Sequence, residues 1–193
     1  MEQFLADGLP YYELALHDYT QPSICGCMRS VKTWSVEKTY IHDNFTMVCP
    51  WNKKRPNYGA LQISDLSFNI TDEPGILHGN WPVTQDLVFP DTVSAVGQPD
   101  TVGAPYRWAL EVQCVEENES IIFVGINFYA RDRVGDQAER SYQEMLAASY
   151  ELGIDQLWGG DISGLRRIDQ ELCFYDINDT FLSISESLYS SLG

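Results

Sequence analysis

RWALEVQCVEENESIIFVGINFYA, residues 107–130, is the stretch whose reading decides the fold. Its first half alternates. Trp108, Leu110, Val112 and Cys114 share one face, and Arg107, Glu111 and Gln113 share the other. Period two is the mark of a half-buried strand, with apolar residues toward a core and polar ones toward water. A polar turn follows at residues 116–119, and then SIIFVGINFYA, apolar on both faces, which predicts a central strand buried on both sides. Ile122, Val124, Ile126 and Phe128 are expected on one packed face, and Cys114 as a core thiol. The pair reads as an antiparallel hairpin at the centre of a sheet.

Working outward, YYELAL near the start and YIHDNFTMVCPW, with Phe45, Met47 and Cys49 in phase, add strands. ALQISDLSFNIT alternates with a slip: Leu61 and Ile63 are in one phase, and Leu66, Phe68 and Ile70 in the other. A bulge near Ser64 and Asp65 would repair it. Between residues 72 and 105 stand Pro74, Pro82, Pro90, Pro99 and Pro105, which predicts short structure and a long loop wrapping the sheet. After the hairpin the period becomes helical. Ala138, Tyr142, Met145, Ala148 and Leu152 form a stripe, with Asp136 and Glu139 as a capping box and Gly153 as a stop. A shorter helix is expected over SGLRRIDQEL, on Leu165, Ile168 and Leu172, and a helix or strand over TFLSISESLYSSLG. The fold class expected is α+β. One domain spans residues 1–193, with a curved, mainly antiparallel sheet through residue 130. One long helix and one or two short ones pack on that sheet from residue 131 onward.

A chain of 193 residues is long enough to bury a core without help from a metal or a disulfide. Its formal net charge is −16, of which −5 falls on residues 1–98 and −11 on the rest. Such a surface repels phosphate, so direct nucleic-acid and anionic-membrane partners are not expected, whereas a basic protein would be steered toward it. No run approaches the roughly 20 apolar residues of a membrane span, and the first residues lack a signal-peptide pattern. Five cysteines without framework spacing point to a reducing, cytoplasmic setting. The N-x-S/T sequons at Asn44, Asn69, Asn118 and Asn178 read as turn and strand-end residues.

Candidate chemistry is sparse. In SICGCMRSVKTW, Cys25 and Cys27 would share a strand face, with Gly26 marking a bulge or a close backbone approach. No second tight ligand pair accompanies them, so neither a zinc site nor a redox pair is expected, and no cofactor. His17 and His42 each precede an aspartate, but strand neighbours face apart, so Asp43 would not orient His42. LWGGDISGLRR lacks the lysine of a phosphate loop, and Asp161 reads as its own cap. Lys53, Lys54 and Arg55 beside Trp51 and Tyr58 form the basic cluster, which reads as a solvated loop. Gly79-Asn80-Trp81 resembles the G-x-W that opens lipocalins, but it stands mid-chain before a proline, so the family is not carried over.

With no catalytic constellation, the expectation is a non-enzymatic, acidic inhibitor or sequestering protein. Its basic partner would be a nuclease, a toxin or a nucleic-acid-binding complex, with carboxylates mimicking phosphates. The candidate docking residues are Glu116, Glu117, Glu119, Asp132, Glu139, Glu144 and Glu151. The alternative is a small-molecule enzyme or carrier with an aromatic pocket in a curved sheet, for which His17, His42, His78 and Tyr129 are the polar candidates.

Overall fold

The computed structural model describes residues 6–50, 59–80, 88–117, 120–157, 159–171 and 173. Eight strands follow one another around a closed antiparallel barrel: β1 (Asp7–His17), β2 (Gly26–Trp34), β3 (Tyr40–Pro50), β4 (Gly59–Ile70), β5 (Ile76–Asn80), β6 (Val88–Val96), β7 (Trp108–Glu117) and β8 (Ser120–Ala130). Each pairs with the next, and β1 closes the ring by pairing with both β2 and β8. The helix α1 (Gly135–Glu151) lies on the outside of the wall, and a two-residue strand β9 (Arg166–Arg167) pairs with Ala15 and Leu16 of β1.

This corrects the expected α+β layering, in which helices cover one face of an open sheet. The sheet closes on itself, so its concave face becomes an interior packed by side chains from around the ring. Tyr11, Met28, Ile41, Phe45, Phe68 and Leu77 belong to that inner core. A second core lies between the wall and α1, where Ala138 and Met145 meet Leu110, Val112, Ile126 and Phe128. Closure also reverses one face of the deciding hairpin. Trp108, Leu110 and Val112 are buried as expected, but under α1. Glu111 and Gln113, read as facing water, are 4 % and 8 % exposed and turn into the barrel. Val124, Ile126 and Phe128 share the packed outer face, while Ile122 is half exposed.

Other expectations are corrected by pairing. No bulge interrupts β4, which pairs with β3 without a break from Tyr40↔Asn69 to Pro50↔Gly59. The proline-rich stretch supplies β5 and β6 instead of a loop. Pro90 fits there because β6 pairs with β7 only from Asp91 onward, so the missing N–H lies where one side of the strand is unpaired. The segment expected as a short helix turns on Asp161, whose carboxylate accepts from Ser163 Oγ and Gly164 N at 2.7 and 2.9 Å. It then enters β9. The edge of β1 beyond Tyr12, which β2 does not cover, takes it as a strand, and Ile168 N donates to Leu14 O. Among the described residues α1 is the sole α-helix. Gly153 does end it, in the left-handed region at φ 70°, but the capping box does not form. Val134 is the N-cap, and Glu139 bonds Gln143 and Arg167 instead. TFLSISESLYSSLG and Leu172 lie outside the described residues.

The cysteines are the largest departure. Cys25 is bonded to Cys49 and Cys27 to Cys173, leaving Cys114 as the free thiol. The register shifts between Gly26 and Arg29, and Cys27 sits at φ 50°, so the two side chains part company. The irregularity expected at Gly26 is therefore present, but the shared face and the free thiols are not. Cys25–Cys49 ties β2 to the far end of β3, and Cys27–Cys173 ties the chain after β9 back to the barrel.

Candidate functional site

One end of the barrel is stoppered. The Arg131 guanidinium lies 3.6 Å from the centre of the Tyr11 ring, donates to Asp7 at 2.8 Å and to Pro10 O at 3.1 Å, and Tyr11 Oη donates to Tyr106 O. Toward the other end is a cavity of about 50 Å³. Phe45, Met47, Leu66, Phe68 and Tyr129 give it apolar and aromatic wall. Asp18, Gln21, Asp43, Asp91, Glu111 and Gln113 give it polar wall. Strand alternation places all but two of these: they stand at inward-facing positions of β3, β4, β6, β7 and β8, aimed by the pleat. Asp18 and Gln21 come from the turn after β1, where Asp18 Oδ1 accepts from Thr20 N and Thr20 Oγ1 at 2.7 and 2.6 Å.

Beside the cavity Lys32 is buried. Lys32 Nζ lies 3.1 Å from Glu111 Oε1 and 3.3 Å from Asp43 Oδ2, donates to Ser30 Oγ at 3.0 Å, and stands 4.8 Å from the centre of the Tyr129 ring. Burial alone would lower its pKa. The Asp43, Glu111 and Asp91 carboxylates outweigh that and hold it above the ordinary lysine value. Burial pushes Asp91 and Glu111 upward; repulsion from Glu111 adds to the push on Asp91, and the charge of Lys32 pulls both back only in part. Tyr129 is likewise raised by burial and by surrounding carboxylates, so its phenol stays protonated.

Glu13, fully buried in the inner wall, is pushed up to about 8 by burial first and Asp18 second. Hydrogen bonds from Asn127 at 2.6 Å and Gln21 at 3.2 Å, and the charge of Arg166, pull it back only in part. The folded state therefore holds a proton that the unfolded chain releases near its ordinary value of 4.5. Stability from this group is full below that value and falls as pH rises toward 8, by on the order of a few kcal/mol. Glu13→Gln, permanently neutral, should lack that decline. The check is the difference in urea midpoint between the two proteins from pH 5 to 8. A difference that stays constant would show Glu13 to be ionised throughout.

The residues singled out from sequence are mostly elsewhere. Tyr129 lines the cavity. His17 packs edge-on to Tyr19, His42 is outside the barrel with Nδ1 3.7 Å from Asp65, and His78 is exposed on β5, so none of the histidines reaches it. Asp43 does face away from His42, as the pleat requires. Glu116 and Glu117 stand at the hairpin end of β7, while Asp132 follows the opposite end of β8, about 30 Å along the strand. Glu139 and Glu144 on α1 are engaged with Arg167 and with Arg107 and Trp108, Glu151 is exposed, and Glu119 lies outside the described residues. Lys53, Lys54, Arg55 and Trp81 also lie outside them. The inward residues Lys32, Asp91, Glu111 and Gln113 went unnoticed as a site. The signal available was single charged residues set among apolar ones on strands.

No protein-family model matches the chain, and no curated protein matches it in sequence. Solved structures do. Lobster apocrustacyanin A1 is 13 % identical with a TM-score of 0.60, the match covering 86 % of this chain and 77 % of that one. Apocrustacyanin C2 is also 13 % identical, TM-score 0.60, covering 88 % and 79 %. Insecticyanin from the tobacco hornworm Manduca sexta is 11 % identical, TM-score 0.52, covering 94 % and 84 %. The inhibitor reading and its basic protein partner are corrected by this. Of the described docking carboxylates, Glu116 and Glu117 lie at the opposite end of the barrel from Asp132, and Glu139 and Glu144 are in ion pairs. The interior holds an aromatic-walled cavity of the kind the alternative reading required, lined by Tyr129 but not by its histidines. What the chain shares with these proteins is the fold, a lipocalin-like barrel of eight antiparallel strands with one helix on its wall.

Proposed function

We propose that this protein is a carrier that holds one small molecule inside its barrel. Closed barrels of eight strands leave an interior either filled by side chains or able to take one small ligand. The observation that carries the reading is the cavity lined both by Phe45, Phe68 and Tyr129 and by Asp91, Glu111 and Gln113, in a barrel stoppered at its far end by Arg131. A mixed wall of rings and a few converging polar groups is the ordinary make-up of a ligand site. Carriage is favoured over catalysis because the histidines stand off the cavity and Tyr129 is held protonated.

Two buried-chain disulfides support an oxidising compartment over the cytoplasm, where thiols are kept reduced. The sequon residues Asn44 and Asn69 are exposed on the outer faces of β3 and β4, which suits such a setting.

The test is native mass spectrometry of the oxidised, folded protein after incubation with a small-molecule extract. Wild type should retain a compound near one equivalent. Ser64→Trp, which fills the cavity from β4, should lose it while still melting cooperatively. No adduct on wild type, or an adduct that Ser64→Trp leaves untouched, overturns the reading.

A further inference from the structure

Donors and acceptors around the cavity do not balance. Four carboxyl groups line it, from Asp18, Asp43, Asp91 and Glu111, and no lysine or arginine does among the described residues. The nearest cation is Lys32, and an ammonium has three protons to give. Those three are spent on Asp43, Glu111 and Ser30. Thr20 spends both its donors on Asp18. Three lining oxygens then have no hydrogen-bond partner: Asp91 Oδ1, Gln21 Oε1 and Gln113 Oε1, on residues that are 1 %, 8 % and 8 % exposed. All three belong to residues that line the cavity, on three different elements: the turn after β1, β6 and β7.

Resting on the carrier reading, we infer that the cavity takes a small organic cation, a primary ammonium or an amidinium on a short apolar body. Its N–H groups bond Asp91, Gln113 and Gln21, and its body lies among Phe45, Phe68 and Tyr129. An anion would meet four carboxyl groups at low dielectric. A neutral apolar molecule would leave the three acceptors without donors, which buried polar groups rarely tolerate. A cation supplies both donors and charge, and aromatic rings add attraction. Lys32 shows that this chemistry is accommodated here, since its ammonium already rests between carboxylates and the faces of Tyr129 and Phe68. A volume of about 50 Å³ has room for about four water-sized groups, so the ligand is short.

The experiment is an amide-shift NMR titration of the folded, oxidised protein with butylamine, 1-butanol and butyrate, which differ in charge at nearly constant size. Butylamine should shift amides of β3, β6 and β7 and bind at least tenfold tighter than butanol and a hundredfold tighter than butyrate. Asp91→Asn should weaken butylamine at least tenfold and leave butanol unchanged. Gln113→Leu, a second variant in case Asp91→Asn does not fold, should weaken the amine severalfold. Butanol or butyrate binding as tightly as the amine overturns the inference and leaves the carrier reading standing. So does silence from all three while Ser64-sensitive adducts are seen by mass spectrometry. Silence together with no adducts overturns both.

Discussion

Replacing Cys27 and Cys173 together by alanine is expected to lower the folding stability by about 3–5 kcal/mol at neutral pH, the larger of the two disulfide effects. The bridge spans 146 residues, so it removes more freedom from the unfolded chain than Cys25–Cys49, which spans 24 and should be worth about 3 kcal/mol. It also has a local task. The segment it tethers carries Gln170, which is buried and whose Nε2 donates to Glu13 O and Met28 O at 2.9 Å each, bridging β1 and β2 where their pairing ends. Arg133 helps by donating to Gln170 O and Cys173 O. Against a typical stability of about 5–15 kcal/mol, loss of both bridges would leave the barrel marginal. Urea denaturation of wild type and the two double alanine variants measures this, with hydrogen exchange of the Ile168 amide as the local readout. A loss below about 1 kcal/mol for the Cys27 and Cys173 pair, with Ile168 still protected, would show that packing alone holds the seam.

Lys32→Met is expected to be as damaging, by about 3–5 kcal/mol at pH 7, because it strands Asp43 and Glu111 with no counter-charge in a buried site. Methionine nearly matches the lysine stem, so the loss reports charge and hydrogen bonding and not volume. The sign with pH follows from the carboxylates. As pH falls Glu111, held above its ordinary value by burial, takes up a proton and no longer needs the cation, so the variant should recover relative to wild type in acid. Combining Lys32→Met with Asp43→Asn and Glu111→Gln should restore much of the loss at pH 7, since a buried ion cluster removed as a whole is often neutral. Denaturation midpoints of the single and triple variants from pH 4 to 7 decide the matter. A single variant within about 1 kcal/mol of wild type across that range would mean that the carboxyls are already neutral and Lys32 is paired to little.

Local pattern carried a good deal of this protein. The strands through YYELAL, through Phe45 and Met47, and both halves of residues 107–130 are where their alternation puts them, and α1 ends at Gly153 because a residue without Cβ takes φ 70° easily. These are decided within a few residues by the pleat and the helical turn. Three features were not, because they depend on where distant segments meet. Period two says that Glu111 and Leu110 face apart, but whether the polar face meets water or a barrel interior depends on β1 closing onto β8 more than 100 residues away. Pro90 argues against a strand until the pairing shows one side of β6 free at that point. Cys25 and Cys27 sit one residue apart, and nothing in that spacing names Cys49 and Cys173 as partners. Only the bulge after Gly26 and the return of the chain past β9 bring the sulfurs together. The candidate site is of this second kind throughout. Its residues come from the turn after β1 and from β3, β4, β6, β7 and β8, and only closure of the ring turns scattered polar positions into one wall.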